Sequence, residues 1–141
     1  MRVALASLAL FIVAAPNALA KPGDHRPHPH VVDPDTIDVG LLENLRIIGV
    51  DGPEKGWRAE CKAERELEVL GTAYAREWLS KAKSVTPRPP EPKRTDRYGR
   101  YLGNLTVDGL DYAEAMIAAG YLHRWDYDNC GRACKPDWCA D

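Results

Sequence analysis

The chain has 141 residues, 45% of them hydrophobic and 28% charged, with a formal net charge of −2. That is the size of one ordinary domain, large enough to bury a core without external staples. The acidic total excludes a protein that coats nucleic acid non-specifically, because such binding depends on many Lys/Arg–phosphate contacts.

Residues 1–20 read as an export signal. Arg2 supplies the positive end, Ala4 to Ala15 the apolar stretch, and Ala18-Leu19-Ala20 a small-x-small cleavage site. The expected mature chain starts at Lys21 and is secreted or periplasmic. Pro16-Asn17 interrupts the apolar run before it reaches the roughly 20 residues of a spanning helix. Residues 21–30, rich in Pro and His, read as a flexible arm; His25, His28 and His30 are imidazoles without a periodic frame.

Val31-Val32-Asp33 and Thr36 to Val39 look like strands broken by a Pro-containing turn. Leu45 to Val50 is a β-branched run bounded by Asp51-Gly52-Pro53, so carboxylates fall at strand ends. Residues 58–82 carry Leu67, Leu70, Tyr74 and Trp78 at steps of three and four, widened by Ala75 and Leu79, and predict a helix. Gly71 inside it marks close packing on the sheet. Ser84-Val85-Thr86 is a short strand candidate, and Pro87 to Pro92 an extended loop.

Tyr101 to Val107 alternates as a strand, and Asp108-Gly109 is a two-residue hairpin signal. Asp111 followed by Glu114 has capping-box chemistry and starts a short helix over Met116 and Ile117 that stops at Gly120. After Tyr127 no helical period is visible. Five short strands, one inserted helix and one late helix suggest an α+β, mainly β fold. Its expected form is a small closed oligonucleotide/oligosaccharide-binding (OB-fold) barrel over residues 31–127, with a tail at 128–141.

Four cysteines, Cys61, Cys130, Cys134 and Cys139, stand behind an export signal. An even count in that setting points to two disulfides, and the spacing matches structural zinc knuckles poorly. Of three possible pairings, Cys61–Cys139 with Cys130–Cys134 would tie the tail back to the body. Residues 81–100 hold seven basic side chains against Glu91 and Asp96. Such a loop can steer a polyanion whatever the total charge.

Three separated motifs carry chemistry: Asp33-Pro34-Asp35-Thr36, then Arg46 to Glu54, then Asp96-Arg97-Tyr98-Gly99-Arg100. Phosphodiester hydrolysis needs a cation to polarise phosphoryl oxygen, a base for the attacking water and donors for the developing charge. Arg suits the last task, since its planar fork meets two phosphate oxygens at once. Taken singly, each motif is also ordinary turn chemistry.

Together they resemble the staphylococcal nuclease-like (thermonuclease) family, whose pattern runs Asp-Gly-Asp-Thr, Arg-x-x-x-(Ile/Val)-Asp-Thr-Pro-Glu and Asp-(Lys/Arg)-Tyr-Gly-Arg. The resemblance spans about residues 31–127 and takes in Gly109 to Gly120. It implies an OB-fold barrel that cleaves DNA and RNA with calcium, and by default a monomer. By matching position, Asp35, Asp51 and the Gly52 carbonyl would ligate Ca2+. Glu54 would be the base, Arg46 and Arg100 would hold phosphate, and Tyr98 would lie beside the nucleotide. Pro34 and Gly52 depart from the pattern, as does the cysteine-rich tail. The alternative expectation is a single-stranded nucleic-acid-binding module on the same fold that has lost turnover.

Overall fold

The computed structural model describes residues 29–88 and 94–140. The signal segment, most of the Pro/His arm and the loop residues 89–93 lie outside the described residues. His30, read as the end of that arm, already belongs to the first strand.

The first strand, β1 (His30–Asp33), runs antiparallel to β2 (Thr36–Asp38), with Val31 facing Ile37 across the ladder. Pro34 and Asp35 make the turn between them. The strand β3 (Leu45–Ile47) pairs antiparallel with β2, placing Thr36 opposite Arg46. On its other side β3 pairs in parallel with β6 (Tyr101–Val107). Further out, β5 (Val85–Arg88) lies antiparallel to β6, and β7 (Leu110–Asp111) returns along β6 through a tight hairpin. The hairpin residues Asp108 (φ 49°) and Gly109 (φ 84°) are both left-handed, as this turn requires.

The expected closed barrel is not what forms. The main sheet is ordered β1-β2-β3-β6-β5, and its edge strands β1 and β5 do not pair with each other, so it is open. Helical residues also outnumber strand residues among the described ones. Part of the reason is local. The run Leu45 to Val50, expected as one strand, breaks at Gly49 (φ 73°), a conformation that side-chain-bearing residues avoid. The piece beyond the break, β4 (Val50–Asp51), leaves the main sheet and pairs with β8 (His123–Arg124). The break is held by Arg46, whose guanidinium donates to the Ile47 carbonyl and, at 3.0 Å, to the Val50 carbonyl.

The long helix α1 (Lys62–Lys81) starts at Cys61, whose sulfur accepts the Glu64 amide at 3.4 Å. Its buried side is Glu64, Glu68, Gly71, Thr72, Ala75 and Leu79; of the expected apolar face, Ala75 and Leu79 are buried and Trp78 packs on the core. Leu70 and Tyr74 are exposed instead. The polar side chains go inside because they find partners. Glu64 accepts the amides of Glu54 (2.9 Å) and Glu60 (2.7 Å), and Glu68 accepts the Thr72 hydroxyl at 2.9 Å. Gly71 is there for space: a Cβ would stand 3.0 Å from Pro34 Cγ and 3.1 Å from Tyr121 Cβ.

The second helix, α2 (Tyr112–Ala118), is capped by Asp111, which accepts the Glu114 amide at 3.1 Å. Gly120, past its end, has φ 81°. The core lies between the sheet and the two helices, built from Val31, Ile37, Leu45, Ile47, Leu105, Val107, Tyr112, Met116 and Leu122. The tail, expected to lack helix, contains a one-turn α3 (Tyr127–Cys130) and a 3₁₀ turn at Gly131–Cys134. Both disulfides of the expected pairing are present, Cys61–Cys139 and Cys130–Cys134.

A candidate polar site at the first turn

Residues from all three motifs meet at the turn between β1 and β2, but they meet as partners of one another. Asp35 is the hub. Its Oδ2 receives Arg46 Nη2 at 3.0 Å and the Gly52 amide at 3.0 Å, and its Oδ1 receives the Thr36 hydroxyl at 2.9 Å. Its own carbonyl takes the Ile47 amide at 2.8 Å, fixing the turn to the edge of β3. Gly52 can approach this closely because it has no side chain; a Cβ would lie 3.1 Å from Asp35 Oδ2. The group that Gly52 offers Asp35 is thus its N–H.

The replacement of glycine by Pro34 displaces nothing. Pro34 is fully buried, its carbonyl accepts the Tyr112 hydroxyl at 2.9 Å, and its ring fills the space that Gly71 leaves open. Burial raises the Tyr112 phenol above its ordinary value, so the hydroxyl stays a donor.

Arg100 is held on two sides. Its Nε and Nη2 lie 2.7 Å from Asp96 Oδ2, and its Nη1 donates to the Thr36 hydroxyl at 3.0 Å. Asp96 also accepts the amides of Tyr98 (2.9 Å) and Arg100 (3.0 Å). Partial burial works against ionisation of Asp96, but the Arg100 fork and these amides win and hold its carboxyl below the usual range. Tyr98, at the tip of the same turn, is 67% exposed. Arg97 lies over its ring at 4.8 Å and donates to its hydroxyl at 2.7 Å, while the Arg100 guanidinium is 5.5 Å from the ring centre.

Two further carboxylates border the hub. Asp33 is pushed up to about 7, first by burial and then by the neighbouring Asp35 carboxylate. Its Oδ1 is buried with no hydrogen-bond partner, while Oδ2 sits 3.7 Å from Lys55 Nζ. Asp51 is raised by burial, opposed by the Trp138 hydrogen bond and by Lys135. Trp138 Nε1 donates to Asp51 Oδ2 at 2.8 Å, and Lys135 Nζ lies 4.0 Å from Asp51 Oδ1 and 3.8 Å from Glu54 Oε1.

These contacts overturn the phosphodiesterase reading. That chemistry needs an open seat for a cation and guanidinium forks facing a gap, whereas Arg46 is turned inward and Arg100 is clasped by Asp96. Asp35, Asp51 and Glu54 do not present ligand oxygens close enough together to share an ion. Among the described residues, the set of three ligand-type side chains close enough to share an ion is Cys61, Glu64 and Cys139. In the oxidised protein those two sulfurs are bonded to each other, and Glu64 is engaged by two backbone amides. Calcium, the ion the resemblance implies, would meet carboxylates whose oxygens already hold Arg46, Thr36, Gly52 and Trp138.

No family model matches the chain, so the thermonuclease resemblance gains no support from that comparison. A curated protein does match. Protein ParB from Escherichia coli is 30% identical over 146 residues, an alignment that covers 95% of this chain and 73% of ParB. The chain belongs to the ParB family. With 95% of the chain aligned, the match takes in the polar hub.

Sequence reasoning missed Thr36 as the bridge between Arg100 and Asp35, Asp33 as the strained acid, and the tail residues Lys135 and Trp138. A signal for the last pair existed: one tryptophan and one lysine sit between two cysteines expected to be anchored. Among the described residues, no helix is long and apolar enough to cross a membrane.

Proposed function

We propose that this domain binds single-stranded nucleic acid through the Asp96–Arg100 turn. A base would stack on Tyr98, and Arg97, exposed beside it, would meet phosphate. The observation that carries the reading is an aromatic ring two-thirds exposed at a turn tip, flanked by two guanidiniums. Stacking on such a ring tolerates any base and is worth roughly 1–3 kcal/mol by alanine substitution. Single strands suit it better than duplex, because a base must be unpaired to reach the ring. The half-buried Arg46–Asp35 pair supports the loop from below through Thr36 and Arg100 and does not itself touch the ligand. Export of the mature chain remains part of this proposal, and two disulfides accord with an oxidising compartment.

Fluorescence anisotropy with a labelled single-stranded oligonucleotide at low salt tests it, using the protein with both disulfides formed. Binding should weaken as salt rises, with a logarithmic slope of about 0.7 per phosphate contact. Tyr98→Ala should reduce affinity about fivefold to a hundredfold, and Arg97→Ala should reduce both affinity and salt slope. Calcium should leave affinity unchanged apart from its contribution to ionic strength. No measurable binding at low salt, or full binding by Tyr98→Ala, would discard the proposal.

A further inference from the structure

The tail does more than close the chain. Lys135 and Trp138 are the groups that cover the Asp51–Glu54 edge of the hub, and the segment carrying them is anchored next door by Cys139. We propose that residues 135–139 form a disulfide-latched strap that shields Asp51 and supplies Glu54 with an internal counter-charge. Cutting Cys61–Cys139 would then expose the carboxylate of Asp51 to solvent.

Three independent contacts build the strap. Trp138 is nearly buried and lies flat on His123 of β8, with ring centres 4.0 Å apart and 17° between planes. Its indole N–H reaches Asp51 on the adjoining strand β4. Cys139 then bonds Cys61, the residue that opens α1. The tail is thus fixed to the small second sheet by an aromatic stack and to the long helix by a covalent bond. Behind it, Asp51 keeps only 4% of its side chain exposed. An acid at that depth without donors would be costly, and Trp138 and Lys135 are what oppose the cost.

Without the bond, only the Trp138 stack and hydrogen bond and the Lys135 charge oppose the conformational entropy of the irregular segment 135–139. Lys135 stands beyond hydrogen-bond distance from both acids, so its attraction is long-range and screened by salt. Opening the latch is a two-electron step. A dithiol reductant attacks one sulfur, passes through a mixed disulfide and leaves as its own cyclic disulfide, while Cys61 and Cys139 each end as thiols. Nothing in this step depends on nucleic-acid binding.

The test is carbodiimide-driven amide coupling of glycine ethyl ester to carboxyl groups, mapped by mass spectrometry on the full chain. Oxidised protein should show Glu54 modified and Asp51 protected. The double variant Cys61→Ser/Cys139→Ser keeps an oxygen in the capping position of α1 and the Cys130–Cys134 bond intact. In it, Asp51 should lose its protection while far-UV circular dichroism stays unchanged. Trp138→Ala, with the latch still closed, should also expose Asp51, because it removes the cover directly. Asp51 remaining protected in the folded double variant would overturn the latch. Protection surviving Trp138→Ala would overturn the shield. Global unfolding of the double variant is detected by simultaneous modification of buried Asp38, and the latch is then decided by titrating folded wild-type protein with mild dithiol: labelling of Asp51 ahead of Asp38 upholds it, and simultaneous labelling of both overturns it.

Discussion

Around Arg46 all the named contacts point inward, to Asp35 and to the carbonyls of Ile47 and Val50, and the side chain is 13% exposed. At the tip of the Asp96–Arg100 turn the arrangement is reversed, with Tyr98 and Arg97 facing water and touching mainly each other. Both regions carry arginines from the sequence motifs, yet one is a clamp within the fold and the other stands at the surface. Burial separates them. A guanidinium taken out of water must have its donors engaged, so a buried arginine near strand ends serves the backbone first.

The sharpest way to test that contrast is to remove each arginine or its companion in turn. Arg46→Ala leaves Asp35 facing the interior without its cation and frees the carbonyls that hold the Gly49 bend. It should cost about 2–3 kcal/mol, between the small value of an exposed ion pair and that of a fully buried one, seen as a lower urea midpoint. A loss below 1 kcal/mol would mean that the clamp is incidental. Gly71→Ala comes next. The added methyl presses Pro34 and Tyr121, and overpacking of this kind costs about 1–3 kcal/mol, offset in part by about 1 kcal/mol of better helix propensity. Part of that fall should be relieved in the pair Gly71→Ala with Pro34→Ala, the Tyr121 contact remaining, and a double-mutant cycle measures the coupling.

Asp33→Asn should act through pH. The folded protein holds the Asp33 proton up to about 7, against 3.8 for an ordinary aspartate. The native state therefore binds more protons between those values, and this group's share of stability is complete below pH 4 and lost as pH rises through 7. Chemical denaturation at several pH values should show wild type losing stability across that window relative to Asp33→Asn. Parallel curves would remove Asp33 from the account. Smallest of all, Tyr98→Ala should leave the midpoint within about 0.5 kcal/mol of wild type, as an exposed residue does, while its effect on oligonucleotide affinity is large. Equal damage to stability and binding would erase the distinction between clamp and tip.

Elements whose chemistry is local could be read from the sequence. Asp111 with Glu114, the Asp108-Gly109 hairpin and the Gly120 stop each involve residues within a few positions of one another, and each stands in the structure as expected. That Cys61 is tied to the tail was legible, because it is the body cysteine in all three pairings, whereas spacing alone does not select Cys139 as its partner. What could not be read was how distant pieces share space. The β-branched run ending at Val50 gives no sign that Gly49 adopts a left-handed turn and sends β4 to a second sheet. The apolar period of α1 pointed to Leu70 and Tyr74, but Glu64 and Glu68 took the inner face once their hydrogen bonds were available. At the hub, the residue types were found and their direction was missed. Motif spacing placed Asp35, Arg46, Gly52 and Arg100 together without revealing that they would satisfy one another.

The two cysteine pairs differ in a way that bears on how the molecule is made. Cys130 and Cys134 are separated by 4 positions and can find each other in an otherwise unstructured chain. Cys61 and Cys139 are separated by 78, with the parallel junction of β3 and β6 between distant segments to be completed as well. The second crosslink joins the start of the long helix to the tail, so its closure is favoured once the fold has brought those two segments together. A quality-control pathway that senses unpaired thiols would have one simple chemical mark for unfinished copies of this protein.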